Sequence, residues 1–138
     1  MTYLLDTNVV SEMRRRDAMH LKAAQWLSSV APVQLHISSI TIFEIEHGIV
    51  KVAARNGKRA SQLSAWLRQQ VIPAFDGRIL TLDADAALHA ARLHVGRSRL
   101  DADRLVAAIA LAHHKVIVTR NVKDFARLGV RVVDPFAG

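Results

Sequence analysis

Two apolar tripeptides constrain this chain more than any other feature. Tyr3-Leu4-Leu5 ends at Asp6-Thr7-Asn8, and Val116-Ile117-Val118 is apolar throughout. Short runs of this kind, bounded by turn formers, read as strands buried on both faces, the condition of a parallel sheet covered by helices. The segments between them agree. Leu21 to Val30 carries Ala23, Ala24, Leu27 and Val30 at helical spacing before Pro32, and from Thr41 onward Ile42, Ile45, Ile49, Val52 and Ala53 recur until Asn56-Gly57. Arg59 to Val71, Asp83 to Val95 and Leu105 to Ala112 read as further helices, the last apolar on every side and so packed in the middle of the domain. Val33–Ile37, Arg78–Leu82 and Val130–Val133 complete the expected strands. Strands alternating with helices imply an α/β fold, a central parallel β-sheet flanked by helices on both faces, as one domain over residues 1–138.

Composition narrows the partners. The absence of cysteine excludes disulfides, thiolate metal sites and cysteine nucleophiles. No apolar run approaches membrane length and Met1 leads straight into the first strand, so a soluble cytoplasmic protein without a membrane partner is expected. Lys and Arg number 19 against 12 Asp and Glu, a net charge of +7. A folded domain of this charge is expected to meet a polyanion.

In open parallel sheets, ligands bind where the strands end and the chain turns toward either face. Asp6 follows the first strand directly, Glu44 lies one turn into the helix after the second, Asn121 and Asp124 follow Val116–Val118, and Asp103 begins the helix that leads to that strand. Each also has a purely structural reading. Asp6 or Asn8 can cap the next helix, Thr41-Ile42-Phe43-Glu44 matches a capping box, and Asp101, Asp103 or Asp124 can favour the positive end of a helix. Capping does not explain why several carboxylates collect at one edge of a basic protein. Convergent carboxylates raise one another's pKa unless a cation is present, and oxygen-rich sites suit Mg2+ or Mn2+. An ion that activates water and offsets charge on phosphoryl oxygens, with basic residues to hold phosphates, points to phosphodiester hydrolysis.

The stretches Leu4-Leu5-Asp6-Thr7-Asn8-Val9-Val10-Ser11-Glu12, Ser39-Ile40-Thr41-Ile42-Phe43-Glu44-Ile45, Asp103-Arg104-Leu105-Val106-Ala107-Ala108 and Val118-Thr119-Arg120-Asn121-Val122-Lys123-Asp124-Phe125 resemble the PIN-domain ribonucleases. The likeness is greatest to the VapC toxins, in their FitB-like branch, and runs in family order from Tyr3 to Phe136. The resemblance implies a PIN-like fold and a Mg2+- or Mn2+-dependent endoribonuclease, the toxin of a type II toxin–antitoxin system, whose products carry a 5′-phosphate and a 3′-hydroxyl. It assigns Asp6, Glu44 and Asp103 as metal ligands, Asp103 rather than Asp101 because it heads the motif Asp-Arg-Leu-Val-Ala-Ala. Asn121 stands where many members carry a fourth acid, and Asp124 follows three places later; whether Asp124 turns into the site to share in catalysis is open. Asn8, Thr119 and Asn121 match the polar positions that orient the carboxylates. RNA as substrate, a small DNA-binding antitoxin covering the acids, and a homodimer are the partners implied.

Arg14 and Arg15 after the first motif, and Lys51 and Arg55 with Lys58 and Arg59 after the second, are candidates for RNA contact or for solvated helix faces. Arg104 puts a cation beside the metal site or a salt bridge on Asp101 or Glu44. The seven histidines show no metal-ligand spacing. A phosphatase with an Asp nucleophile after its first strand needs a second Asp where this chain has Asn8. The alternative from another class is a non-catalytic nucleic-acid-binding module with a degenerate metal site.

Overall fold

In the computed structural model, which describes residues 1–137, strand β1 (Tyr3–Leu5) is the middle of a five-stranded sheet. On one side lie β2 (Leu35–Ser38) and then β3 (Ile79–Leu80), on the other β4 (Val116–Val118) and then β5 (Val132–Val133), giving the order β3-β2-β1-β4-β5. Every pairing is parallel, as expected from the apolar runs. The direction of travel across the sheet changes between β1 and β4, which opens a crevice at their carboxyl ends.

The two-residue period of a strand sorts the core into two layers. Leu4 pairs with Ile117 and Leu5 with Val118. Leu4 and Ile117 face one cluster, with Val106, Ile109 and Phe125; Leu5 and Val118 face the other, with Val9, Ile37, Ile45 and Leu67. All four strand residues are fully buried, and each such burial contributes about 1.5–3 kcal/mol relative to exposure. Helices α1 (Thr7–Met13), α2 (Leu21–Ser28), α3 (Ser39–Ala53), α4 (Gly57–Trp66) and the short α5 (Ile72–Ala74) belong to the Leu5 side. Helices α6 (Ala84–Leu93), α7 (Ala102–His113) and α8 (Val122–Phe125) cover the Leu4 side. In α7 the consecutive residues Val106 to Ala110 are all buried, and its alanines let the helix lie close to both the sheet and α6. No helix among the described residues is long and apolar enough to cross a membrane.

Several boundaries differ from the sequence expectation, each for a local reason. The second strand starts at Leu35 because Pro32–Gln34 forms a 3-10 turn. Gln34 closes that turn: its Oε1 accepts the Ala31 N–H at 3.1 Å and its Nε2 donates to the Met1 carbonyl at 2.8 Å. The expected helix over 59–71 starts earlier, at Gly57, because Asn56 Oδ1 accepts the Arg59 N–H at 3.0 Å. It then passes through a π-turn at Leu67–Val71 into α5. The outer strands are shorter than expected: β3 keeps Ile79–Leu80 of 78–82, and β5 keeps Val132–Val133, the last two residues of 130–133.

Glu12 ties the chain down after α1. Its Oε2 accepts the His20 N–H at 2.8 Å and lies 3.3 Å from Arg15 Nη1, and its Oε1 lies 4.0 Å from Arg120 Nη2. The carboxyl is held below its ordinary value of 4.5, chiefly by the His20 N–H, with Arg15 and Arg120 adding to the effect against burial. A carboxylate with a depressed folded-state pKa stabilises the fold above its unfolded pKa and loses that contribution as the pH falls through the folded value. Glu12→Gln is therefore expected to lower the unfolding free energy at neutral pH by about 1–3 kcal/mol. Urea unfolding across an acidifying pH series should show this difference shrinking below the ordinary glutamate range; a difference independent of pH would refute it.

Candidate active site

Asp6 stands just beyond β1, beside the crevice where the strand order reverses. Its N–H donates to the Val118 carbonyl at 2.9 Å, which fixes the residue against β4. Oδ1 accepts the Thr7 N–H at 2.9 Å, so the capping reading holds for this residue. Oδ2 accepts a bond from Thr119 Oγ1 at 2.8 Å and another from Asn8 Nδ2 at 3.2 Å. The Thr119 hydroxyl is saturated: while donating to Asp6 it accepts from Asn8 Nδ2 and from the Asn121 N–H, both at 3.0 Å. Burial pushes the Asp6 carboxyl above its ordinary value; the Thr119 and Thr7 bonds oppose this, and the charge of Asp124 adds to it. The structure thus places Asn8 and Thr119 on Asp6, whereas Asn121 acts through its backbone. Its exposed side chain makes no hydrogen bond to another described residue.

The capping-box reading of Glu44 is corrected. Ser38 is the cap of α3, its Oγ accepting the Thr41 N–H at 3.2 Å, so Thr41 lies inside the helix and Glu44 falls in the second turn. There Glu44 Oε1 accepts a 2.6 Å bond from Thr7 Oγ1. The same hydroxyl lies 3.1 Å from Thr41 Oγ1. A hydroxyl has one proton to give, and the shorter contact to the charged oxygen takes it. Thr7 therefore orients Glu44 toward the end of β1. Sequence reasoning passed over Thr7, because the only signal for its role is a contact between α1 and α3 that neither segment reveals.

Asp103 enters from the opposite layer, in the first turn of α7. Asp101 precedes that helix without capping it, since its Oδ2 accepts from Arg104 Nη1 at 2.6 Å. Arg104 is further held by a 3.0 Å bond from Nε to the Leu93 carbonyl. Of the roles read for Arg104, the salt bridge to Asp101 is the one observed. The Asp103 carboxyl is pushed up to about 6, first by burial and then by the negative charges of Asp6, Asp101, Asp124 and Glu44. Acids from four separate segments thus repel one another at one edge, Asp124 among them from the exposed turn of α8.

Among the described residues, none of Asp6, Glu44, Asp103 and Asp124 is paired with a cationic side chain. Nor do any three His, Cys, Asp or Glu side chains there form a ready-made metal cage. Arg15 pairs with Glu12. Arg14 is half-buried beside Trp66, and Lys51 and Arg55 are exposed at the end of α3. Arg120, not singled out from sequence, donates its N–H to Asn8 Oδ1 at 3.1 Å and rests its guanidinium 3.9 Å above the Phe136 ring.

Known proteins are similar to this chain in sequence and in fold. The chain is 32% identical to the VapC ribonuclease Y4jK of Sinorhizobium fredii, the match covering 96% of each chain. It is 34% identical to toxin FitB of Neisseria gonorrhoeae, over 96% of this chain and 97% of that protein. The solved structure of FitAB bound to an IR36 DNA fragment superposes with a TM-score of 0.84 at 30% identity, covering 99% of this chain and 97% of the other. A PIN domain model matches residues 3–130, a span that runs from β1 through α8 and takes in every acid at the crevice, and the chain belongs to the PIN-domain family.

Proposed function

We propose that this protein is a metal-dependent endoribonuclease that hydrolyses RNA phosphodiester bonds as the toxin of a type II toxin–antitoxin pair. The observation that carries this reading is the convergence of Asp6, Glu44 and Asp103, none of them ion-paired among the described residues. The relatives named VapC ribonuclease and toxin FitB support the class of activity. The FitAB structure on DNA supports a small DNA-binding antitoxin as partner. The proposal extends to a cytoplasmic homodimer whose acids the antitoxin covers.

The donor set fits a hard divalent ion. It offers carboxylate oxygens alone, and Mg2+ is commonly held by one or two carboxylates while keeping several waters, so no closed protein cage is required. Asp6 and Asp103 would hold Mg2+ or Mn2+, with Glu44 bound directly or through water. When bound, such an ion makes water more acidic and offsets charge growing on the phosphoryl oxygens. The chain supplies the positioning. Thr119 and Asn8 hold one oxygen of Asp6, Thr7 holds one oxygen of Glu44, and the sheet fixes Asp6 against β4. Asp124 extends the acidic edge where Asn121 brings no charge, and Arg14, Lys51 and Arg55 draw the RNA backbone toward it.

Purified protein incubated with labelled RNA in Mg2+ or Mn2+, and in EDTA, should cleave only with the metal. Asp6→Asn or Asp103→Asn should remove cleavage while far-UV circular dichroism stays unchanged. Cleavage in EDTA would overturn the metal-dependent reading, and salt-sensitive binding without turnover would favour the non-catalytic module.

Thr7→Val should lower activity about 10- to 100-fold, the usual cost of freeing a ligand's orienting partner. Thr7→Ser should restore most of it, and equal loss in both variants would remove Thr7 from the positioning role.

Thermal melting gives a readout besides activity. The Asp103 carboxyl lies at about 6 in the fold against an ordinary 3.8, so ionising it costs stability as the pH rises through that window. In EDTA, Asp103→Asn should therefore melt above the wild type at neutral pH, with the gain fading toward the ordinary aspartate range. Adding Mn2+ should raise the wild-type Tm and leave the variant's unchanged; a rise in both would place the ion elsewhere.

A further inference from the structure

A groove of about 390 Å3 runs between α1, α3 and α4, starting at Thr7 and Glu44 and ending at Leu63 and Trp66. Its wall on α3 is apolar, with Ile45, Ile49 and Val52. Gly48 leaves an opening in that wall: a Cβ built there meets nothing within 4 Å. The rim is cationic. Arg14 and Arg59 line the groove, and Lys51 in the last turn of α3, Arg55 in the connection and Lys58 in the first turn of α4 lie close to them in the chain. Among the described residues, none of these cations is paired with a carboxylate. The Arg14 guanidinium sits 6.0 Å from the ring centroid of the half-buried Trp66, at the outer limit of a cation–π contact.

We propose that this groove is a base-binding subsite for the nucleotide next to the scissile phosphate of a single-stranded RNA. The inference rests on the phosphodiesterase reading of the acids and adds to it where the neighbouring base goes. The complementarity is of two kinds. A nucleobase is a flat apolar face that stacks on aromatic and apolar side chains, while its flanking phosphates need cations. An apolar slot lined by the unpaired Arg14 and Arg59, and reaching the Glu44 carboxylate at one end, meets both needs along one strand. Trp66 supplies the stacking face, Arg14 and Arg59 receive the backbone, and the missing side chain at Gly48 leaves room for the base. The fit of the base then makes this groove a determinant of where the RNA is cut.

The test uses the full chain with Trp26→Phe, which leaves Trp66 as the remaining tryptophan of the two. A short mixed-sequence RNA in EDTA should quench Trp66 emission. Gly48→Leu, which fills the groove from an exposed helical position and favours the helix, should weaken RNA binding about tenfold, in line with the loss of one base stack. Polyglutamate of matched charge should neither quench Trp66 nor compete equally with RNA. Equal RNA affinity with and without Gly48→Leu, or no quenching by RNA, overturns the subsite. Polyglutamate acting as well as RNA also overturns it and makes the groove a dock for an acidic protein segment. Should Gly48→Leu fail to fold, quenching by RNA but not by polyglutamate decides the matter alone. Parallel cleavage with Mn2+ separates the two readings. Groove-dependent binding without cleavage removes the hydrolytic role, whereas metal-dependent cleavage with unaltered Gly48→Leu binding removes the groove.

Discussion

Asp6 is an acid held in a place where an acid is costly, and much of the architecture bears on keeping it there. It is 5% exposed, at the end of the central strand, and burial opposes its charge. Bonds from Thr7, Thr119 and Asn8 favour the ionised form, and its N–H reaches across to β4. These contacts unite the ends of β1 and β4 at the crevice where the sheet changes direction. Buried carboxylates persist only when such donors offset desolvation. The polar cluster is thus a structural joint as well as a candidate ion site.

Around that joint, the layers deliver acids from opposite sides. Glu44 comes on α3 from the face that covers Leu5, and Asp103 on α7 from the face that covers Leu4. Neither helix alone makes a site. Arg104, the cation next to Asp103 in the chain, is drawn onto Asp101 and the Leu93 carbonyl. Repulsion among the acids therefore goes unrelieved by the chain, which is the electrostatic condition under which a divalent ion binds with advantage. The net charge of +7 averages over an acidic crevice and a basic surface of opposite sign.

How legible each part was follows from the range of the interactions involved. The parallel sheet could be read because a strand buried on both faces must be apolar at every position, as Val116-Ile117-Val118 is. Asp6 could be read because it stands next to such a strand. Glu44 was harder. Thr41-Ile42-Phe43-Glu44 is a valid capping box by pattern, but Ser38 begins the helix earlier and frees Glu44 to meet Thr7. Arg104 was legible only as a pair of options, since its two neighbours in the fold include a carbonyl from α6 that the local sequence does not suggest. Val33 alternates like a strand residue, yet Pro32 and Gln34 turn the backbone there first.

The amino-acid sequence by itself determined the class of fold, the segments that form its layers and the acids that stand at element ends, because these depend on burial period and on neighbours close in the chain. The tertiary structure decided which donor orients which carboxylate, which arginines are tied up in ion pairs, and that an apolar groove with a basic rim opens directly from Glu44. Those outcomes depend on side chains brought together from distant segments, such as Thr7 with Glu44 and Asn8 with Thr119. No local pattern encodes such contacts, since each exists only once the helices have packed on both faces of the sheet.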